Sequence, residues 1–376
     1  MSSRLPARAV EPLDRLLGSA RILVCCGPGG VGKTSVAAAL AVAAAERGRR
    51  TCVPTIDPAM RLAEALGLDG LGNEPVGVQG VTGEAGLDAM MLDMRRTFDD
   101  LVRRSAPNAE QAEAIIGNPV YQRLASFGGT QEYMAAEKLH ELHASGRWDL
   151  LVVDTPPTRS ALDFLDAPDR MLELLQSRMG PLAGPVRQLG GLLRGLGLAA
   201  TPLTELVSRA TGTDLLREVT RFLRSIEGMY DGFRDRAKRV RDLLRSRQTA
   251  FVVVATPDET ALWEAAFLAG RLSSDRLRLA AVVVNRVHQA VELPRVSAAA
   301  RKALAAGDAD ARLLAELLDG HRRLATLATA ERKRIAGLLA AAPGVGASQV
   351  QVPLLDEDPV DLPGLRQLGE YLLAAR

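Results

Sequence analysis

Residues 27–34 have the sequence GPGGVGKT, which matches the phosphate-loop pattern G-x-x-x-x-G-K-[ST] in full. The glycines let successive backbone N–H groups converge on phosphate oxygens, and the start of the following helix adds its positive dipole end. Lys33 would place a charge on the terminal phosphates, and the hydroxyl of Thr34 would bind Mg²⁺. With only five lysines in the chain, a lysine at this position is unlikely to be there by chance. The expected nucleotide-binding residues are Gly29, Gly30, Val31, Gly32, Lys33, Thr34 and Ser35.

Two aspartates follow apolar runs at positions suited to the same site. Asp57 comes just after the run 50–56, and Asp154 ends the run beginning at residue 149. In an open α/β sheet, ligands bind at the carboxyl ends of the strands, so both carboxylates are expected to face the nucleotide. Asp154 would hold Mg²⁺ and Asp57 would orient or deprotonate the attacking water. The alternative for each is an aspartate that only caps a turn or helix.

Short apolar runs alternate with helical segments, which predicts an α/β fold with a mostly parallel central sheet flanked by helices, the P-loop NTPase class. An Ala-rich helix is predicted over 35–47. Pro54 lacks a ladder donor, so the second strand is expected to be an edge or to be bulged there. The predicted strands are residues 21–26, 50–56, 149–153, 250–255, 279–284 and 349–352.

Two stretches interrupt the alternation. Residues 69–86 are Gly-rich and predict a loop or hairpin, whereas residues 168–247 have no strand signal and carry apolar residues at helical spacing. We therefore predict an all-helical insertion subdomain there. The predicted divisions are an N-terminal helix or extension (1–20), a first part of the ATPase core (21–167), the insertion (168–247) and a second part of the core (248–376).

The composition excludes several classes of protein. The 376 residues carry 47 basic and 45 acidic side chains, and only 3% are aromatic, which argues against a polybasic or base-stacking nucleic-acid protein. Cys25, Cys26 and Cys52 form no CxxC pair and fit a reducing compartment. The N-terminus lacks the apolar core of a signal peptide, and no run reaches the ~18 apolar residues of a membrane span. We therefore expect a cytoplasmic protein without stable membrane insertion.

Four segments together resemble the ArsA-like family of anion-transporting and tail-anchored-protein-targeting ATPases, whose phosphate loops are a deviant form of the Walker A motif. The first is the phosphate loop itself, and the second, TIDPAMRLAEALG, is similar to the family's first switch. The third combines GGTQEYMAAEKLHEL with WDLLVVDTPPTRSALDFL around the second switch. The fourth combines VVVNRV with VPLLDEDPVDLPGL, where the family reads adenine. These segments span most of the chain from residue 22 onward.

The resemblance implies ATP and Mg²⁺ as ligands and assigns roles to particular residues. Asp57 matches the aspartate that positions the hydrolytic water, Asn285 matches the asparagine that bonds adenine, and Pro353 belongs to the loop that packs on the base. Members of the family sandwich two nucleotides between two subunits. Because this chain has a single half, the resemblance implies a homodimer or a pairing with a paralogous ATPase.

Departures from the family pattern bear on activity. The family's phosphate loop reads GKGGVGKT, and its extra signature lysine reaches the partner subunit's phosphates; here Pro28 stands at that position. Such a trans charge is worth on the order of 10³–10⁵ in rate when supplied by an arginine finger, so slow hydrolysis is expected unless Arg61 or Arg159 replaces it. Ser160 stands where the second switch has histidine. The cysteines fit core strands rather than metalloid ligands or a zinc clamp, which disfavours arsenite extrusion.

Three functions therefore remain open from sequence. The first is a dimeric ATPase whose nucleotide cycle reshapes the helical insertion, with a groove for an apolar helical client. For residues 215–244 the apolar positions are better explained by internal packing; for residues 180–200 the two interpretations stay equal. The second is a weakly hydrolysing or non-hydrolysing regulatory partner of a paralogous ATPase. The third is a ParA/MinD-type positioning ATPase, which the interspersed acidic and basic residues of the insertion disfavour, so no nucleic acid is expected.

Overall fold

A computed structural model describes residues 13–57, 59–125, 128–157, 163–170, 229–289, 305, 309–341 and 348–374. Its sheet has eight strands in the order β3-β4-β2-β5-β1-β6-β7-β8, and every neighbouring pair is parallel except the antiparallel β3–β4 hairpin. The strands are β1 (Ile22–Cys26), β2 (Thr51–Thr55), β3 (Val76–Gly77), β4 (Leu87–Met91), β5 (Leu150–Asp154), β6 (Thr249–Ala255), β7 (Leu279–Val287) and β8 (Ser348–Pro353). The sheet confirms the predicted α/β class.

Helices cover both faces of this sheet. Among the described residues, the labelled helices are α1 (Leu13–Ser19), α2 (Lys33–Glu46), α3 (Arg61–Ala65), α4 (Met94–Ser105), α5 (Ala109–Ile116), α6 (Pro119–Leu124), α7 (Gly128–Ala144), α8 (Tyr230–Arg245), α9 (Glu259–Ser274), α10 (Ala309–Ala341) and α11 (Leu362–Ala374). Residues 163–170 are helical as well.

The core explains why the central strands are apolar throughout. Every residue of β1, β2, β5 and β6 is buried, because alternate side chains point into opposite helical layers. Leu23 and Cys25 pack against α1, α2 and α11 on one face. Val24 and Cys26 pack against α7, α8, α9 and α10 on the other. Packing on both faces fixes the end of β1, where the phosphate loop begins.

Pro54 corrects the prediction of an edge or bulged strand. Strand β2 is interior, between β4 and β5, and its register with β4 continues unchanged through Pro54. The ladder to β5 pairs Thr51, Cys52 and Thr55 but not residues 53 and 54. The missing N–H donor of Pro54 is therefore accommodated by a gap in the ladder to β5, while the ladder to β4 stays continuous.

The helical material beside the sheet comes from two separate stretches of chain. Within the predicted insertion, the described part contains helix α8, and residues 171–228 lie outside the described residues. Helices α4–α7, which precede β5, pack against it: Met229 joins a cluster with Tyr121, and Ala237 joins one with Leu101 and Tyr133. Buried Glu137 of α7 also forms an ion pair with Arg236 of α8, in which Glu137 Oε1 lies 3.0 Å from Arg236 Nη1. Residues 180–200 fall outside the described part.

Candidate nucleotide site

The phosphate loop occupies the turn between β1 and α2, at the carboxyl edge of the sheet. Gly27 and Gly32 have φ values of 150° and 91°, which L side chains rarely adopt. A Cβ on Gly27 would collide with the carbonyl oxygen of Val254, and one on Gly32 would collide with the side-chain amide of Asn285. Helix α2 begins without a side-chain cap. Its first N–H groups are therefore suited to bind an anion.

Lys33 lies buried at the first position of α2. Its ammonium Nζ donates a 2.7 Å hydrogen bond to the carbonyl oxygen of Pro28, so the side chain folds back along the loop. Burial lowers the pKa of Lys33, while the nearby carboxylates of Asp154 and Asp57 act in the opposite direction. A phosphate in the loop would give this desolvated cation a charged partner.

Asp154, at the end of β5, is the centre of a buried polar cluster that also includes residues of β2 and of the first turn of α2. Its Oδ2 accepts hydrogen bonds from the hydroxyls of Thr34 and Thr55, both at 2.9 Å. Its Oδ1 is buried and has no hydrogen-bond partner. Burial raises the pKa of Asp154 to about 6, although the two hydroxyl bonds act to lower it. An orphaned carboxylate oxygen beside a threonine hydroxyl fits the oxygen ligands that Mg²⁺ prefers.

Asp57 lies in the turn after β2, at the same edge. Its backbone N donates to Thr55 Oγ1 at 3.1 Å, and its Oδ1 accepts from the backbone N of Ala59 at 3.0 Å. Its Oδ2 forms a 2.8 Å ion pair with Arg61. The turn therefore fixes the carboxylate, and the Arg61 guanidinium is already bound to it. Arg159 and Ser160 lie outside the described residues.

Asn285 comes from β7, on the opposite side of the phosphate loop from Asp57. Its Nδ2 donates to the carbonyl oxygen of Val31 at 3.0 Å, and its Oδ1 accepts from the backbone N of Arg286 at 3.0 Å. The buried amide therefore braces the loop. Its predicted contact with adenine stays a prediction. The same strand end pairs Val287 with Pro353, which places the two predicted base-contacting positions at one corner of the sheet.

The structure adds residues that sequence reasoning did not select. Thr55 links the two aspartates, because its hydroxyl contacts Asp154 and the backbone of Asp57. Arg286 has φ 60°, and its guanidinium contacts the Gly30 carbonyl oxygen and the Asp358 carboxylate, both at 3.4 Å. Thr55 is the first residue of the first-switch segment and could have been found by its position. Arg286 had no local signal, because its contact with the loop depends on how the strands pack.

The three cysteines are free and fully buried in the sheet. Burial raises the pKa of Cys26 to about 12, and it also raises the pKa values of Cys25 and Cys52. Thiolate is the form that binds metals, so these thiols are poor ligands where they stand. Their positions support core packing, as the sequence suggested.

Comparison with known proteins gives the family. A model of a protein family described as anion-transporting ATPase matches residues 20–304. The chain belongs to this ATPase family. An uncharacterized protein of Streptomyces coelicolor is 34% identical over 199 residues, covering 52% of this chain and 49% of that protein. A protein of Pyrenophora tritici-repentis named ATPase get3 is 29% identical, covering 69% of this chain and 72% of the relative.

A putative arsenical pump-driving ATPase of Prosthecochloris vibrioformis is 32% identical over 155 residues, covering 40% of this chain and 36% of the relative. The chain thus spans about half the length, or less, of the Streptomyces coelicolor and Prosthecochloris vibrioformis proteins that it matches. Among the described residues, no helix of this ATPase-family chain is long and apolar enough to cross a membrane.

Proposed function

We propose that this protein binds Mg²⁺-ATP at the phosphate loop and hydrolyses it as a dimer. The proposal is carried by the buried Oδ1 of Asp154, which has no hydrogen-bond partner. The other oxygen of the same carboxylate accepts hydrogen bonds from Thr34 and Thr55. Leaving a buried carboxylate oxygen unpaired costs free energy, and a bound cation would remove that cost. Thr34 and Asp154 would hold Mg²⁺, which would neutralise charge on the phosphates.

Other residues of the chain would bind the phosphates and orient the attacking water. The backbone N–H groups of the loop bind phosphate oxygens, and Lys33 leaves the Pro28 carbonyl to contact the terminal phosphates. Asp57 orients the attacking water, and its pairing with Arg61 fixes its position. Thr55 couples the metal-binding carboxylate to the Asp57 turn. A change at the terminal phosphate can therefore reach the first-switch segment, including α3, through one hydroxyl.

The test is the variant Lys33→Ala. We expect a folded protein that has lost most of its affinity for ATP relative to wild type, measured by calorimetry with Mg²⁺ present. Lys333→Ala, the same change at an exposed lysine of α10, is the matched control and should keep the wild-type affinity. A folded Lys33→Ala protein that binds ATP as tightly as wild type would sink the proposal.

A second candidate is a regulatory subunit that binds ATP and hydrolyses it slowly. Pro28 favours it, because proline carries no charge to place on a partner's phosphate, and Arg61 is already paired with Asp57. Phosphate release by the wild-type protein alone, and mixed with a paralogue that carries GKGGVGKT, separates the two candidates. Faster release in the mixture supports the regulatory role, and fast release by the protein alone contradicts it.

The other expectations have unequal support. The arginines of α8 pair with acidic side chains: Arg236 with Glu137, and Arg241 and Arg245 with Asp169. This supports an ion-paired surface rather than a nucleic-acid stripe, and so disfavours a positioning ATPase. A groove for an apolar helical client and a cytoplasmic location stay predictions.

A further inference from the structure

Helix α10 contacts the end of β7 through Glu331, which lies in the C-terminal half of the helix. The backbone N of His288 donates to Glu331 Oε2 at 2.9 Å, and the His288 ring nitrogen Nδ1 lies 2.8 Å from Glu331 Oε1. Ala328 and Ile335, on the neighbouring turns, are buried. His288 directly follows β7, so Glu331 lies level with the carboxyl edge of the sheet, where the phosphate loop also lies.

The rest of α10 projects beyond that edge. After α10 ends at residue 341, β8 starts at the opposite edge of the sheet, so α10 runs against the strand direction. Residues 309–330 precede Glu331, and at ~1.5 Å per residue they extend about 33 Å. Between residues 312 and 327, all of which the structure describes, no side chain is buried.

The projecting part carries an apolar stripe on one face, which we call the leucine stripe. Its members are alternately four and three residues apart, which is the spacing of a coiled-coil seam. Buried Glu331 is the next position of the same seam, so the stripe and Glu331 lie on one face of the helix. The stripe consists of Leu313, Leu317, Gly320, Leu324 and Leu327, whose leucines are 38–62% exposed. Four exposed leucines in one seam are unusual for a surface that stays in water.

The charges beside the stripe indicate its occupant. Glu316 and Arg323 occupy equivalent flanking positions, one heptad apart, with opposite signs. In an antiparallel pair of identical helices these flanking positions face each other. The register that places Leu313 opposite Leu324 of the partner subunit also places Glu316 opposite Arg323 of the partner subunit, twice by symmetry. Arg323 already bonds Asp319 within its own helix at 2.6 Å, and its guanidinium has further donors.

We propose that the leucine stripe pairs antiparallel with the leucine stripe of a second copy of this chain. The inference rests on the proposed nucleotide-dependent dimer and deepens it. Two subunits that face each other at their nucleotide edges send their α10 projections in opposite directions, which is the orientation that antiparallel pairing requires. The small Gly320 lies opposite Leu317 of the partner subunit in this register, which leaves room for that leucine.

Charge reversal tests the register in the full-length protein. The dimer dissociation constant is measured by sedimentation in Mg²⁺-ADP with aluminium fluoride. Glu316→Arg and Arg323→Glu should each raise it about tenfold, since each creates two like-charge pairs, and the double reversal should restore it to within about threefold of wild type. Thr329→Glu, on the opposite face of α10, is the matched control and should leave it unchanged.

The remaining outcomes separate this inference from the proposed function. A wild-type dimer that neither single reversal weakens overturns the α10 pairing and leaves the nucleotide-bound dimer intact. A protein that binds ATP in calorimetry but stays monomeric overturns both forms of dimer. If Leu317→Glu lowers the melting temperature of the monomer by several degrees, the stripe is covered by the chain's own residues and the pairing is wrong.

Discussion

Asp154→Asn removes the buried charge on which the proposed metal site depends, and it should stabilise the protein in the absence of metal. Burial raises the pKa of Asp154 from 3.8 to about 6. At about 1.4 kcal/mol for each tenfold change in a proton equilibrium, the ionised carboxylate costs the folded state up to about 3 kcal/mol. Asparagine carries no charge, and its oxygen can still accept from Thr34 and Thr55.

The direction of the pH dependence follows from the raised pKa. Well below pH 3.8 the carboxyl is protonated in the folded and unfolded states. As the pH rises from 3.8 to about 6, the unfolded state releases its proton first, so the wild-type protein loses stability that Asp154→Asn keeps. The unfolding free energy of the variant relative to wild type should therefore increase by up to about 2.5 kcal/mol between pH 4 and pH 7.5.

Urea unfolding at the two pH values, without divalent cations, measures this difference. Asp149→Asn is a control that should show almost no change between these two pH values, because hydrogen bonds from Arg50 lower the pKa of Asp149 to about 2 and its stabilising contribution is lost only at lower pH. Mg²⁺-ADP should then stabilise the wild-type protein more than Asp154→Asn. A variant-to-wild-type difference that does not change with pH would refute the claim that the carboxylate is desolvated and unpaired.

Three further predictions concern the loop, the base and the helical layer. Pro28→Lys should raise kcat in a phosphate-release assay with little change in ATP affinity, and an unchanged kcat would show that another residue supplies the trans charge. Asn285→Ala should weaken ATP and GTP equally in a competition assay if the amide only braces the loop, but should abolish a preference for ATP if it bonds adenine. Arg236→Met should cost about 2–3 kcal/mol in urea unfolding, because it leaves Glu137 buried without its ion-pair partner.

Local patterns in the amino-acid sequence predict the parts of this protein that depend on neighbours along the chain. The phosphate loop, the apolar strands and the two aspartates after them are local patterns, and the alternation of strands and helices implies a parallel sheet. The glycines of residues 69–86 also predict the loop or hairpin before β4, because they permit a turn there. These features required no knowledge of which strands pair.

Tertiary structure alone decided the contacts that join distant segments. Placing β5 between β2 and β1 brings the hydroxyls of Thr34 and Thr55 onto one oxygen of Asp154 and leaves the other oxygen unpaired. Strand pairing also keeps Pro54 in the sheet interior, against the expectation from its missing donor. Asn285 reaches Val31 across 254 positions of sequence. Hydrophobic periodicity shows which face of a segment is buried, but the choice of partner depends on packing over the whole chain.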